Sequence, residues 1–334
     1  VKHVVALNSG TAALHLALEA LDLSEDDEVI IPSFSFVSTA QAVRLAGAKP
    51  LFCDICEHNL NMDPDDLAAR ITSKTRAVIP VHFGGAICDM DRILSIAEEH
   101  ELIIIEDAAH AFGSTYRNKH AGTIGHIGCF SFDPIKNITC GGGGALVTDS
   151  DRFAQTAKIK RYIGIDRDSW HRNKSENRWF YQVVDQGLRY HMTDINAAIG
   201  LAQLKKFAAF KKKKRDLVRQ YDRGFRNVPM IKTIPRDLDT VFPFGYFVRI
   251  PDGLRNEFMR FLKKNNIDTR VQFIPNHLHP VFSEYKTHLP VTEKIYEEIV
   301  TLPLYCEMTD SDIKKIINTV KTWCTTNAEK CRTA

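Results

Sequence analysis

The stretch Ser131–Asp149, SFDPIKNITCGGGGALVTD, sets one lysine and four successive glycines in a polar break between two apolar, strand-like runs. Lys136 could cradle a phosphate there, form a covalent bond, or sit at the tip of a loop. A phosphate-binding P-loop has the order GxxxxGK[ST], with the lysine after the glycines. Here the lysine comes first, so this is not a P-loop. A lysine at the end of a buried sheet, in an apolar pocket, has its pKa lowered by desolvation. Its neutral amine is then available to attack a carbonyl.

The runs around this stretch place it in a fold. EVIIPS, KPLFCDI, RAVIPVH, ELIIIED, IGCFSF and GALVTD are short, apolar and rich in β-branched residues. Helix-period segments such as TAALHLALEAL, STAQAVRLAG and DMDRILSIAEEH lie between several of them. That alternation predicts an α/β fold, a mainly parallel sheet sandwiched by helices. After Ser150 the texture changes. The polar run DRDSWHRNKSENRW predicts an exposed loop, and one long helix is expected from about Met192 to Tyr221. FPFGYFVRI, LRNEFMRFLKKNNI, TRVQFIP and a closing helix after Thr309 read as a small α+β domain. The expected division is residues 1–200, a large ligand-binding α/β domain, and residues 201–334, the connecting helix and small domain.

Composition narrows the function classes. The chain has 334 residues, 44% of them hydrophobic and 25% charged, with a net charge of +3. A charge that small is no footprint for nucleic acid. No run of about 18 apolar residues suggests a membrane span. Cys53 and Cys56 form a CxxC, but there is no second ligand pair for zinc. These cysteines read as reduced structural thiols of a cytoplasmic protein, and no metal site is expected. The basic run Lys211–Arg215 continues a helix and reads as a solvated face.

Ligands of open α/β sheets bind beyond the carboxyl ends of the strands, so the loops there carry the chemistry. Ser9-Gly10-Thr11 stands just before a helix, where amides and helix dipole favour an anion, though it is also a good N-cap. Phe34 and Phe36 alternate in an extended segment, one side for the core and the other for a cleft. Asp107 closes a fully apolar strand, and a carboxylate there needs a donor or cation; a helix cap is the alternative. His110 follows three residues on. An anion cradle, an aromatic platform, a buried aspartate and a pocket lysine together suit pyridoxal phosphate.

These residues also resemble the DegT/DnrJ/EryC1/StrS group of sugar aminotransferases, with the aspartate aminotransferase-like fold type I. The likeness runs from NSGTAALHLAL through PSFSFVSTAQAV, PVHFGGAICDMDRI, EDAAHAFGS and SFDPIKNITCGGGGALVTD. It continues to YHMTDINAAIGLAQLKK and RVQFIPNHLHPVF. The resemblance implies covalent attachment of the cofactor at Lys136, which would also shuttle the proton. It implies Asp107 on the pyridinium nitrogen, His110 on the phenolic oxygen and Phe36 stacked on the ring. Ser9, Gly10, Thr11 and Ser131 would hold the phosphate. Arg189 stands where relatives carry an asparagine that reaches the phosphate of the neighbouring subunit, so a homodimer with shared sites is expected.

The implied reaction moves an amino group, with glutamate the expected donor, to a nucleotide-linked keto-sugar through pyridoxamine phosphate. Asp133, Gly142 and His191 depart from the family pattern and bear on the substrate. The resemblance further implies a segment upstream of the Ser9 loop. Gly141–Gly144 are expected to let the backbone turn tightly beneath the cofactor. A dehydratase of the same fold replaces the lysine with histidine, which Lys136 argues against. A non-catalytic regulatory protein is opposed by the intact lysine, aspartate and cradle.

Overall fold

The computed structural model describes residues 1–166, 179–251 and 253–327. Its centre is a seven-stranded sheet whose apolar runs are buried on both faces. The strands are β1 (His3–Leu7), β2 (Glu28–Pro32), β3 (Lys49–Cys53), β4 (Thr75–Val78) and β5 (Ile103–Asp107). After a two-stranded hairpin, β6 (Thr115–Tyr116) and β7 (Lys119–His120), come β8 (Ile127–Ser131) and β9 (Gly144–Thr148). The order across the sheet is β1-β9-β8-β5-β4-β2-β3. The strands from β3 to β8 pair in parallel, and β9 pairs antiparallel with both β8 and β1. Only β9 runs against the rest. The carboxyl ends of β1, β2, β5 and β8 therefore share one edge with the start of β9, and the informative loops all leave from that edge.

Burial explains why these segments are strands. Val29, Ile30, Ile31, Ile104 and Ile105 are each fully buried, and full burial of such a side chain stabilises by about 1.5–3 kcal/mol. Helices α1 (Gly10–Glu19), α2 (Ser38–Leu45), α3 (Pro64–Arg70), α4 (Met90–Glu99) and α5 (Asp151–Lys160) cover the sheet. Helix α1 is buried continuously from Ala12 to Leu18, so it lies inside the main core rather than on its surface. Strand β1 and helix α3 were not anticipated from sequence. Helix α3 is only seven residues long, whereas β1 does carry a short apolar run, Val4–Leu7.

Two expectations fail beyond residue 190, and most of the polar run 166–179 lies outside the described residues. The single long helix is two, α6 (Asp194–Leu204) and α7 (Phe207–Phe225). The break sets the Phe207 ring against Phe112 and Phe242, with centroids 5.8 and 5.6 Å away. The basic run on α7 is not a solvated face either. Lys212 is exposed, but Lys214 is buried. Lys211 Nζ donates to the Gly113 carbonyl at 2.6 Å, and Arg215 donates to the carbonyls of Val241 and Asp239. Long basic side chains bury their stems and carry their donors to carbonyls that would otherwise lack partners.

A second sheet, β10 (Lys232–Thr233), β11 (Tyr246–Arg249) and β12 (Ile299–Leu302), is antiparallel throughout. It shares a separate core with α7, α8 (Arg255–Lys264) and α10 (Asp310–Asn327), centred on Tyr221, Phe258 and Trp323. Helix α9 (Pro290–Glu298) leads into β12. Between α8 and α9, Phe282 packs into the core of the large sheet. No helix among the described residues is long and apolar enough to cross a membrane.

Candidate active site

At the shared strand edge the loops enclose a cavity of about 350 Å³. Ser9, Gly10, Thr11, Phe36, Asp107, His110, Ser131 and Lys136 all line it. Eight of the nine residues singled out from sequence thus converge, although they are drawn from four separate loops.

The anion cradle is built on the start of α1. Ser9 caps the helix, its Oγ accepting from Ala12 N at 3.0 Å. The amides of Gly10 and Thr11, in the first turn, have no intrahelical acceptor. Close approach requires glycine on both sides. A Cβ on Gly10 would lie 2.8 Å from Ser131 Cβ, and one on Gly144 would lie 2.2 Å from the Ser9 carbonyl oxygen. The glycine run therefore differs from expectation. Gly141 alone of the four has a left-handed φ, +74°, and a Cβ on Gly142 would meet nothing within 4 Å. Gly144 serves close packing against Ser9 rather than a turn.

Asp107, at the end of β5, is almost fully buried. Its Oδ2 accepts from Thr39 Oγ1 at 2.9 Å and its Oδ1 from Ala109 N at 3.1 Å. It makes no ion pair among the described residues. A buried carboxylate held only by neutral donors favours a cation delivered by a ligand. Its neighbour Glu106 points to the other face of the sheet, where its oxygens accept from His82 Nε2 and the amides of Gly122, Ile124 and Gly125. Burial pushes the Glu106 carboxyl up, but these bonds outweigh it and hold the pKa below the usual value. The Cys88 amide points at His82 Nδ1, which leaves the proton on Nε2. This pair fixes β5 and the loop before β8; it does not face the cavity.

His110 stacks flat on Phe244, centroids 3.9 Å apart, and lies 5.8 Å from Phe273. Burial, with the charge of Lys136 second, holds its imidazole well below the ordinary pKa, so the ring is neutral. Its Nδ1 is buried without a hydrogen-bond partner among the described residues. Lys136 Nζ lies 4.9 Å from the centre of the Phe244 ring. Burial lowers the Lys136 pKa against the opposing pull of Asp107 and Asp133. Phe34 is buried in the core, whereas Phe36 is exposed toward the cavity, 5.7 Å from Phe273.

Arg189 does not line this cavity. Its side chain is exposed, 5.7 Å from the Tyr162 ring, while its carbonyl accepts from Asn8 Nδ2 at 3.3 Å. Sequence reasoning missed Thr39, which anchors Asp107, Phe244, which packs against His110 and Lys136, and Arg270, Gln272 and Phe273, which wall the site. Thr39 looked like an ordinary helix residue. The others sit in loops whose return to the sheet edge no periodicity records. The CxxC thiols lie elsewhere. Burial raises Cys53 far above the usual range and Cys56 to about 11, the reverse of a redox-active or metal-binding thiolate.

An orphaned imidazole nitrogen, a carboxylate without a cation, a cradle that tolerates no Cβ and a lysine of lowered pKa fit pyridoxal phosphate. Fold and site together define a pyridoxal-phosphate-dependent aminotransferase of fold type I. More particularly, the chain belongs to the DegT/DnrJ/EryC1/StrS aminotransferase family, whose model matches residues 1–321. It is 39% identical over 330 residues to the spore coat polysaccharide biosynthesis protein SpsC of Bacillus subtilis, covering 96% of this chain and 85% of that protein. Among solved structures it is similar to a putative sugar aminotransferase of Streptococcus pneumoniae in its PMP form. That match has a TM-score of 0.91 and 29% identity over 97% of this chain and 88% of the other. It is also similar to Helicobacter pylori PseC, an aminotransferase involved in the biosynthesis of pseudoaminic acid. Here the TM-score is 0.90 and the identity 26%, over 98% and 88%.

Proposed function

We propose that this aminotransferase moves an amino group from glutamate to the carbonyl of a nucleotide-linked keto-sugar, in the cytoplasm, as a homodimer. The observation that carries the reading is the convergence of Lys136, Asp107, His110 and the Ser9-Gly10-Thr11 cradle on one cavity. The roles of two relatives, in spore coat polysaccharide and pseudoaminic acid biosynthesis, support a sugar acceptor. When bound, the cofactor supplies an electron sink at the carbon that gains or loses the amine.

The chain's own residues do the rest. Lys136, its pKa lowered by burial, would hold the cofactor covalently and would move the proton at the reacting carbon. Asp107 would keep a positive charge on the ring nitrogen. His110 would offer Nδ1 to the phenolic oxygen, and Phe36 would stack on the ring. The amides of Gly10 and Thr11, with Ser9 and Ser131, bind phosphate at the positive end of α1. Arg270, exposed at the cavity wall, offers a cation for the carboxylate of the amino donor.

Two features support the dimer. On α6, Ile195 is 76% and Leu201 64% exposed, and Val183 and Val184 are exposed in the preceding segment. Exposed apolar side chains in such number are a feature of interaction surfaces. Arg189, which does not line its own chain's cavity, would reach the phosphate of a partner's in the shared-site arrangement that the family resemblance implies. To test the activity, the protein is supplied with glutamate and a panel of nucleotide-linked keto-sugars, and 2-oxoglutarate and amino-sugar are measured together. Amination of a free keto-acid but of no keto-sugar would contradict the proposal.

A further inference from the structure

We propose that Lys214 is a positioning residue for Lys136. Through Asn137 and the carbonyl of Phe244 it fixes the two segments between which the Lys136 amine is held. The inference rests on the reading of Lys136 as the cofactor-linked lysine.

The observations concern a second buried lysine. Lys214, on α7, is 6% exposed. Its Nζ donates to Asn137 Oδ1 at 2.8 Å and to the Phe244 carbonyl at 3.4 Å. Asn137 adjoins Lys136 in the chain, and its Nδ2 donates to the Phe242 carbonyl at 3.2 Å. The Asn137 side chain is thus held at both ends, tying the lysine loop to α7 and to residues 242–244. The ring of Phe244 in turn lies under Lys136 and stacks on His110. One buried amine therefore anchors both the loop that carries Lys136 and the ring it rests against.

Lys214 lines an adjoining cavity of about 670 Å³, which shares Ile135, Lys136, Arg270 and Gln272 with the cavity of the cradle, but it does not line the latter. It is a supporting group rather than a second nucleophile. Burial draws its pKa down to about 8, partly offset by Cys306 and Glu307. An amine kept in so unfavourable a place is held by its acceptors, and these are the groups that orient Lys136. Buried polar ties of this kind specify geometry when every member is satisfied.

The test uses full-length protein loaded with pyridoxal phosphate as wild type, Lys214→Met, Lys214→Arg, Asn137→Ala and the Lys214→Met/Asn137→Ala double variant. Without donor, the visible absorbance of the linked lysine is titrated with pH, and borohydride trapping followed by peptide mapping identifies that lysine. With glutamate, the single-turnover rate is separated from donor affinity. Misplacing the amine by about 1 Å can cost on the order of 100-fold in rate.

Lys214→Met should therefore show that loss with donor affinity little changed and a displaced pH midpoint. Lys214→Arg should recover most of the rate. The double variant should be no slower than the worse single one, because both break one tie. A Lys214→Met protein labelled on Lys136, with wild-type rate and midpoint, overturns the role, as do additive losses. If Lys214→Met does not fold, Asn137→Ala decides: a folded protein at wild-type rate overturns the role, and one slowed as above supports it. A wild-type label on any lysine other than Lys136 overturns the proposed function itself, and this inference with it.

Discussion

At the residue scale the site works through contacts that leave no space. Gly144 opens β9 where a side chain would strike the Ser9 carbonyl at 2.2 Å. Gly144→Ala must push the cradle away, at the 1–3 kcal/mol cost typical of overpacking, about 10- to 100-fold in cofactor affinity. Gly142→Ala, with nothing within 4 Å of its Cβ, should leave the affinity unchanged. Equilibrium titration of the two apoproteins with pyridoxal phosphate checks the contrast, and equal affinities would contradict it. The sequence located this loop but not the division of labour within it. A glycine needed for φ and one needed for close approach are the same letter. Lys136 and Asp107 were legible because ionisable groups beside apolar strands are costly without a purpose. Thr39 was not, since its one distinguishing bond reaches across 68 residues.

At the element scale, the strands were legible because they are buried on both faces and so appear as unbroken apolar runs. The helices after residue 190 were not. The apolar residues of α6 point outward and those of α7 inward, so together they imitate one long pattern, and the Lys205–Lys206 break has no glycine or proline to announce it. The outward face of α6 argues for a partner. With shared sites, Lys136→Ala and Arg189→Glu should each be inactive alone. Their mixture should regain activity, because each heterodimer holds one site with both defects and one with neither. Recovery is read as turnover after subunit exchange has been verified by native mass spectrometry. If Arg189→Glu is inactive alone and verified heterodimers are inactive too, Arg189 serves its own chain's site.

At the scale of the whole molecule, the parallel sheet brings four loop ends to one edge, and the second sheet folds Phe244, Arg270 and Phe273 over them. The first half of that statement follows from the parallel pairing that alternation of elements implies; the strand order itself does not. The second depends on long-range packing and could be known only from the structure. The account as a whole turns on which lysine the cofactor joins. Among the described residues Lys136, Lys211 and Lys214 have lowered pKa, and of these only Lys136 lines the cavity of the cradle. Borohydride reduction of the loaded wild-type protein, followed by peptide mapping by mass spectrometry, distinguishes them. The account predicts the reduced cofactor on the peptide containing Lys136; a label on Lys214, or on any other lysine, would contradict it.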